Sequence, residues 1–135
     1  MKVLLTGVAG FIGYHVAEAL LRDGHHVDGI DNLNDYYDPL LKQDRLARLR
    51  KQSAFIFERL DLSDAADVEA VVSRHQDTTH VIHLAAPAGV RHSLVDPYAF
   101  VTSNVLGPCA LLEAVPSLAA PVPSFYASSF SVSWP

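Results

Sequence analysis

The chain has 135 residues, half of them hydrophobic and 19% charged, with a net charge of −5. That length supports one domain with a buried core, and the acidic balance argues against a nucleic acid or an anionic membrane as the main partner. Cys109 is the single cysteine, which rules out an internal disulfide or a multi-cysteine zinc site and leads us to expect a reducing, cytoplasmic setting. The apolar start at residues 1–5 is too short for a signal peptide. No uninterrupted apolar run approaches the ~20 residues of a spanning helix, so no integral membrane segment is expected.

In chain order, residues 2–6 read as a buried strand and 11–22 as a helix, with Ile12, His15, Val16, Ala19 and Leu20 at helical spacing. Asp23-Gly24 ends that helix. Residues 26–30 form a second strand, 31–39 a polar turn, and 40–51 a basic helix with Leu46 and Leu49 inward. A third strand covers 54–60. Ser63 is the expected N-cap of a helix over 64–75, with Val68, Val71 and Val72 facing in. A fourth strand covers 79–85, a long helix runs from Asp96-Pro97 to about Val115, and a fifth strand covers 125–128. Alternating strands and helices predict an α/β fold, a doubly wound parallel sheet with right-handed crossovers.

The segment between the first strand and first helix carries Gly7, Gly10 and Gly13. The first glycine permits a sharp turn, the second lets a pyrophosphate approach the backbone, and the third lets the helix pack against the strand. The helix N-terminus then offers N–H groups to phosphate. The second strand leads into Asp31, 18 residues after Gly13, close to the ~20-residue offset of a ribose-binding carboxylate. An acid there, with no Arg directly following, favours NAD over its 2′-phosphorylated form.

Several patterns have plainer explanations. His80 and His83 are three apart on a strand and face opposite sides, which argues against a metal site. Lys42, Arg45, Arg48, Arg50 and Lys51 read as a solvated helix face, Cys109 as a small core residue, and Tyr36 and Tyr37 as packing against the basic helix. Asp61 can cap the next helix, touch a base, or do both.

Thr6-Gly7-x-x-Gly10-Phe11-Ile12-Gly13, Asp31-Asn32-Leu33, Asp61-Leu62, His83-Leu84-Ala85-Ala86, Asn104 and Tyr126-Ala127-Ser128-Ser129 occur in that order. Together they resemble the extended short-chain dehydrogenase/reductases, in particular the nucleotide-sugar epimerases. Residues 31–38 and 88–93 are similar to stretches of UDP-glucuronate 4-epimerases. The resemblance covers the chain to Ala114 and returns at residues 126–129.

It implies a Rossmann-type domain with strand order 3-2-1-4-5, and NAD held by Gly7, Gly10, Phe11, Ile12, Gly13, Asp31, Asn32, Asp61, Leu62, Leu84, Ala85, Ala86 and Asn104. It further implies Ser129 as the catalytic serine, with Arg91 and Ser128 on a nucleotide-sugar substrate. A guanidinium at Arg91 suits a uronate carboxylate or a phosphate. The implied reaction interconverts UDP-glucuronate and UDP-galacturonate by reversible hydride exchange between NAD and the sugar C4. A Tyr whose pKa is lowered by a Lys four residues on removes the hydroxyl proton. A homodimer contact through the 96–115 helix is also implied.

The chain departs from the family in two respects. It contains no Tyr-x-x-x-Lys pair, and Pro116, Pro121 and Pro123 fall where the family continues a helix into the fifth strand. The expectation is therefore an NAD-binding domain over residues 1–135, incomplete after its fifth strand, without a substrate domain and inactive as an epimerase alone. Two alternatives stay open: a 4,6-dehydratase or reductase of the same family, and a non-catalytic dinucleotide-binding fragment.

Overall fold

The computed structural model describes residues 1–36, 38–87 and 90–127, the side chains of 90–92 aside. Strands β1 (Lys2–Thr6), β2 (His26–Asp31), β3 (Phe55–Arg59), β4 (His80–His83) and β5 (Ser124–Tyr126) form one sheet in the order β3-β2-β1-β4-β5. All pairings are parallel, as expected, and Thr6 lies opposite both Ile30 and His83, so three strand ends come level.

The central strand is buried on both faces, and its neighbours alternate between two cores. Leu5 joins Val8, Tyr14, Ala17, Leu46 and Leu49, so α1 (Phe11–Arg22) and α2 (Pro39–Leu49) cover one face. Leu4 joins Val68, Val72, Leu111 and Ala114, so α3 (Ala65–Arg74) and α6 (Gly107–Ala114) cover the other. Leu4 and Leu5 are both fully buried, worth about 2–3 kcal/mol each.

Three local expectations are corrected. The cap of α3 is Asp64, whose carboxylate accepts from the N–H groups of Ala66 and Asp67, both at 3.1 Å. Ser63 lies one position before the cap, with its N–H and its hydroxyl both bonded to Asp61 Oδ1, at 3.0 and 2.7 Å. The long helix is preceded by a short one, α4 (Val90–Val95), and is itself divided into α5 (Pro97–Val101), a π-helical turn (Thr102–Leu106), α6 and a 3-10 turn (Val115–Ser117). Pro108 accounts for the π turn. It has no N–H to donate, its ring crowds the preceding turn, and a wider turn relieves both; the Gly107 N–H bonds to the Thr102 carbonyl.

Cys109 is exposed rather than core, because Gly107, Pro108, Leu111 and Ala114 form the buried stripe of α6. Pro97–Ser117 is a 21-residue helical stretch of mean hydropathy 1.3, long and apolar enough by length and composition to cross a membrane, a test that the core helix of a soluble protein also passes. β5 is exposed along its length and runs one residue earlier than expected; its expected last residue, Ser128, lies outside the described residues.

A polar tie joins β1 to β4. The Thr6 hydroxyl oxygen accepts from the N–H groups of Leu84 and Ala85 at 3.2 and 3.3 Å. Its own proton is then left for Nδ1 of buried His83, 2.7 Å away. Tyr126 stacks on the imidazole with ring centroids 5.4 Å apart.

Burial pushes the His83 pKa below its ordinary value of 6.5. Protonation therefore favours the unfolded chain, so this contribution to stability is complete above the unfolded value and is lost as pH falls below it. We expect the melting temperature to drop between pH 7.5 and pH 5.5, and His83→Asn, which keeps an acceptor for Thr6, to flatten part of that drop. An unchanged slope in the variant would remove His83 from the account.

Candidate cofactor-binding site

The turn between β1 and α1 is shaped by two glycines that the fold requires and one that it tolerates. Gly7 has φ +73°, a conformation that side chains disfavour. A Cβ on Gly13 would lie 2.0 Å from the Gly7 carbonyl oxygen, so α1 can pack on the turn only without one. A Cβ on Gly10 would meet the same oxygen at 3.1 Å, a far milder crowding. Gly10 is also the N-cap, with ordinary φ −67° and no capping side chain. The first helical bond runs from the Tyr14 N–H to the Gly10 carbonyl, so the N–H groups of Phe11, Ile12 and Gly13 precede the ladder. Phe11 and Ile12 themselves are exposed.

Asp31, the last residue of β2, is 7% exposed and locks this turn in place. Its Oδ2 accepts from the Ala9 N–H at 3.1 Å and its Oδ1 from the Leu33 N–H at 2.8 Å. The second bond holds Leu33 at φ +55°, a backbone conformation that costs a branched residue about 1 kcal/mol or more. Behind Asp31, Asn32 donates from Nδ2 to Asp61 Oδ2 at 3.0 Å. The Ser63 N–H also bonds to Asp61, and with Asn32 and the Ser63 hydroxyl it holds the Asp61 carboxyl below the usual carboxylate range despite partial burial. Asp61 thus organises the turn after β3 and leaves the cap of α3 to Asp64.

These groups border one open cleft at the C-terminal ends of the strands, where ligands of doubly wound sheets bind. Of the expected cofactor residues, Gly7, Gly10, Asp31, Asn32, Asp61, Leu62, Leu84, Ala85 and Ala86 line it. Phe11, Ile12 and Gly13 are not among the lining residues and form the first turn of α1, directly after Gly10. Asn104 is not among the lining residues. It is half-buried in the π turn, accepting at 3.3 Å from the hydroxyl of Ser103, and Ser103 is the residue that reaches the cleft. Arg91 falls within α4, but its side chain, and Ser128 and Ser129 entirely, lie outside the described residues.

A sequence profile described as GDP-mannose 4,6 dehydratase matches residues 4–132. The chain belongs to that family. UDP-glucuronate 4-epimerase 3 of Arabidopsis thaliana is 48% identical over 132 residues, covering 97% of this chain and 30% of the relative. A UDP-glucuronate 4-epimerase of Thermodesulfobacterium geofontis is 47% identical over 110 residues, covering 82% of this chain and 34% of its own length. The crystal structure of the UDP-glucuronic acid 4-epimerase from Bacillus cereus, in complex with UDP-glucuronic acid and NAD, superposes with a TM-score of 0.85 at 37% identity. That match covers 98% of this chain and 41% of the solved one. This chain therefore spans about a third of the length of these family members.

The sequence reading missed part of this family member's site. Asn34, Tyr36, Lys42, Ser63 and Ser103 also line the cleft. The basic helix is not simply a solvated face: Lys42 is buried, and Arg45 donates to the Ala9 carbonyl at 3.1 Å while lying 5.8 Å from the Phe11 ring centroid. Residues 42, 46 and 49 fall on one helical stripe, and a lysine on an otherwise apolar stripe was the available signal. Among the described residues, no group of three metal-ligating side chains occurs.

The two glycines should separate on substitution. Gly13→Ala should cost about 3 kcal/mol, since backbone must move. Gly10→Ala should cost about 1 kcal/mol yet weaken any ligand held against the turn. Thermal melts and ligand titrations of both variants check this; equal destabilisation would contradict the division of roles.

Proposed function

We propose that this chain binds NAD and supplies the cofactor-binding portion of a nucleotide-sugar 4-epimerase acting on UDP-glucuronate. The observation that carries the reading is the cleft itself. A buried carboxylate at the end of β2 lines it together with Gly10, the glycine of the turn that packing constrains least. The fit is chemical as well as steric. Asp31 offers acceptor oxygens for a ribose diol, and the first turn of α1 offers N–H donors and a positive dipole end for a pyrophosphate. Asn32, Asp61 and Leu62 provide a polar and an apolar wall for a base.

When bound, NAD would supply a hydride acceptor and donor for the sugar C4. The residues of the chain bind and orient. Gly10 lets the phosphates approach, Asp31 holds the ribose, and Leu84, Ala85 and Ala86 wall the far side. Arg91 matches the family position for a uronate or phosphate contact, Ser128 for a substrate contact, and Ser129 for the hydroxyl that positions the reacting oxygen. Relatives at 47–48% identity are epimerases, which favours epimerisation over dehydration.

The exposed apolar residues Tyr98, Val101, Val105 and Leu112 on the long helix suit a partner helix in a homodimer. We place the protein in the cytoplasm because its one cysteine leaves no disulfide framework.

Calorimetric titration of the chain with NAD tests the reading. Micromolar binding is expected, weakened at least about tenfold by Asp31→Ala, since a hydrogen bond to a charged group is lost. A folded chain that binds no NAD would overturn the proposal.

A further inference from the structure

Among the described residues, Lys42 is the one cationic side chain lining the cleft, which it shares with Asp31 and Asp61. It is 5% exposed and shares the inward stripe of α2 with Leu46 and Leu49. An apolar residue would fill that position without removing an ammonium from water, so packing does not explain a lysine. Its Nζ donates to Asn34 Oδ1 at 2.7 Å and lies 3.7 Å from Asp31 Oδ1, an ion-pair distance too long for a hydrogen bond. An ammonium has three donors. Asn34 takes one, and the others remain for a group entering beside Asp31.

The start of α2 fixes this placement: Asp38 caps the helix by accepting from the Leu40 N–H at 2.9 Å, and Pro39 occupies its first turn. Two other cations stand near the same end of the cleft. Arg45 is engaged with Ala9 and Phe11, and exposed Arg59 donates from Nε to the Asn32 carbonyl at 3.2 Å.

We propose that Lys42 is a second selectivity-determining residue of the cleft, donating to the ribose diol alongside Asp31 and receiving the 2′-phosphate of NADP once the Asp31 charge is removed. Selectivity then resides in the balance of the Asp31–Lys42 pair. With both charges present the site accepts a neutral diol and repels a phosphate. With only Lys42 charged it attracts one. This inference rests on the NAD-binding reading above.

The test is titration of NAD and NADP into the chain and into Asp31→Asn, Lys42→Met and the double variant, with thermal melts confirming folding. Lys42→Gln, which keeps a donor for Asn34 without the charge, is measured in parallel. The unaltered chain should prefer NAD. Asp31→Asn should bind NADP at least about tenfold more tightly than the unaltered chain does, through a charge-assisted contact. Adding either Lys42→Met or Lys42→Gln should abolish that gain, and Lys42→Met alone should weaken NAD severalfold. A double variant that keeps the gain would overturn the inference and assign the phosphate to Arg59 or Arg45, as would NAD binding indifferent to Lys42→Met. An unaltered chain that binds NAD in none of these titrations would instead overturn the cofactor reading itself.

Discussion

The arrangement depends on how closely α1 approaches the turn that precedes it. With no Cβ at Gly13, the helix sits against the Gly7 carbonyl, and its N-terminus is brought over the strand ends. The Asp31 carboxylate then ties that turn to the neighbouring strand through the Ala9 N–H. A side chain at position 13 would lift the helix, and the donors of its first turn, the Asp31 tie and the wall formed by Leu84–Ala86 would no longer border one cleft. Packing and ligand geometry are therefore one constraint.

The two ends of the sheet use charge differently. At the cleft, Asp31, Asp61 and Lys42 border open space. At the opposite end, charged groups close on one another. His75 Nδ1 lies 2.9 Å from buried Asp28 Oδ2, and Lys2 reaches Asp28 and Asp77 at 3.3 and 2.7 Å. Glu58 meets both His75 and Arg74. Although burial disfavours its charge, hydrogen bonds from those two residues hold its carboxyl below the usual range. Those charges are paired within the protein and tie β1, β2 and β3 to the end of α3, with Asp28 Oδ2 held by ion pairs and no hydrogen bond. A site with spare donors and acceptors suits a ligand.

Much of this was legible in the sequence because it rests on local periodicity. The parallel sheet, the glycine turn and the place of Asp31 follow from alternating patterns and a fixed spacing, and the strand order from the family resemblance. Side-chain competition was less legible. Ser63 and Asp64 both suit a cap, and only the place where the helix begins, which sets the Ala66 and Asp67 N–H groups on the Asp64 carboxylate, decides between them. The π turn follows from Pro108, which the apolar periodicity around it conceals. Lys42 was hidden because charge on a helix usually means solvent, whereas here loop residue Asn34 and strand residue Asp31 meet it inside the fold. Ser103 and Asn104 are adjacent, and the wider π turn decides which reaches the cleft.

The most direct test of the central claim is backbone amide NMR of the chain titrated with NAD. The account predicts saturable shifts at residues 7–13, 31–34, 61–63 and 84–86, with the amides of Lys2, Asp28, His75 and Asp77 unmoved. Shifts confined to that opposite end, or an unperturbed glycine turn in the presence of bound NAD, would contradict it.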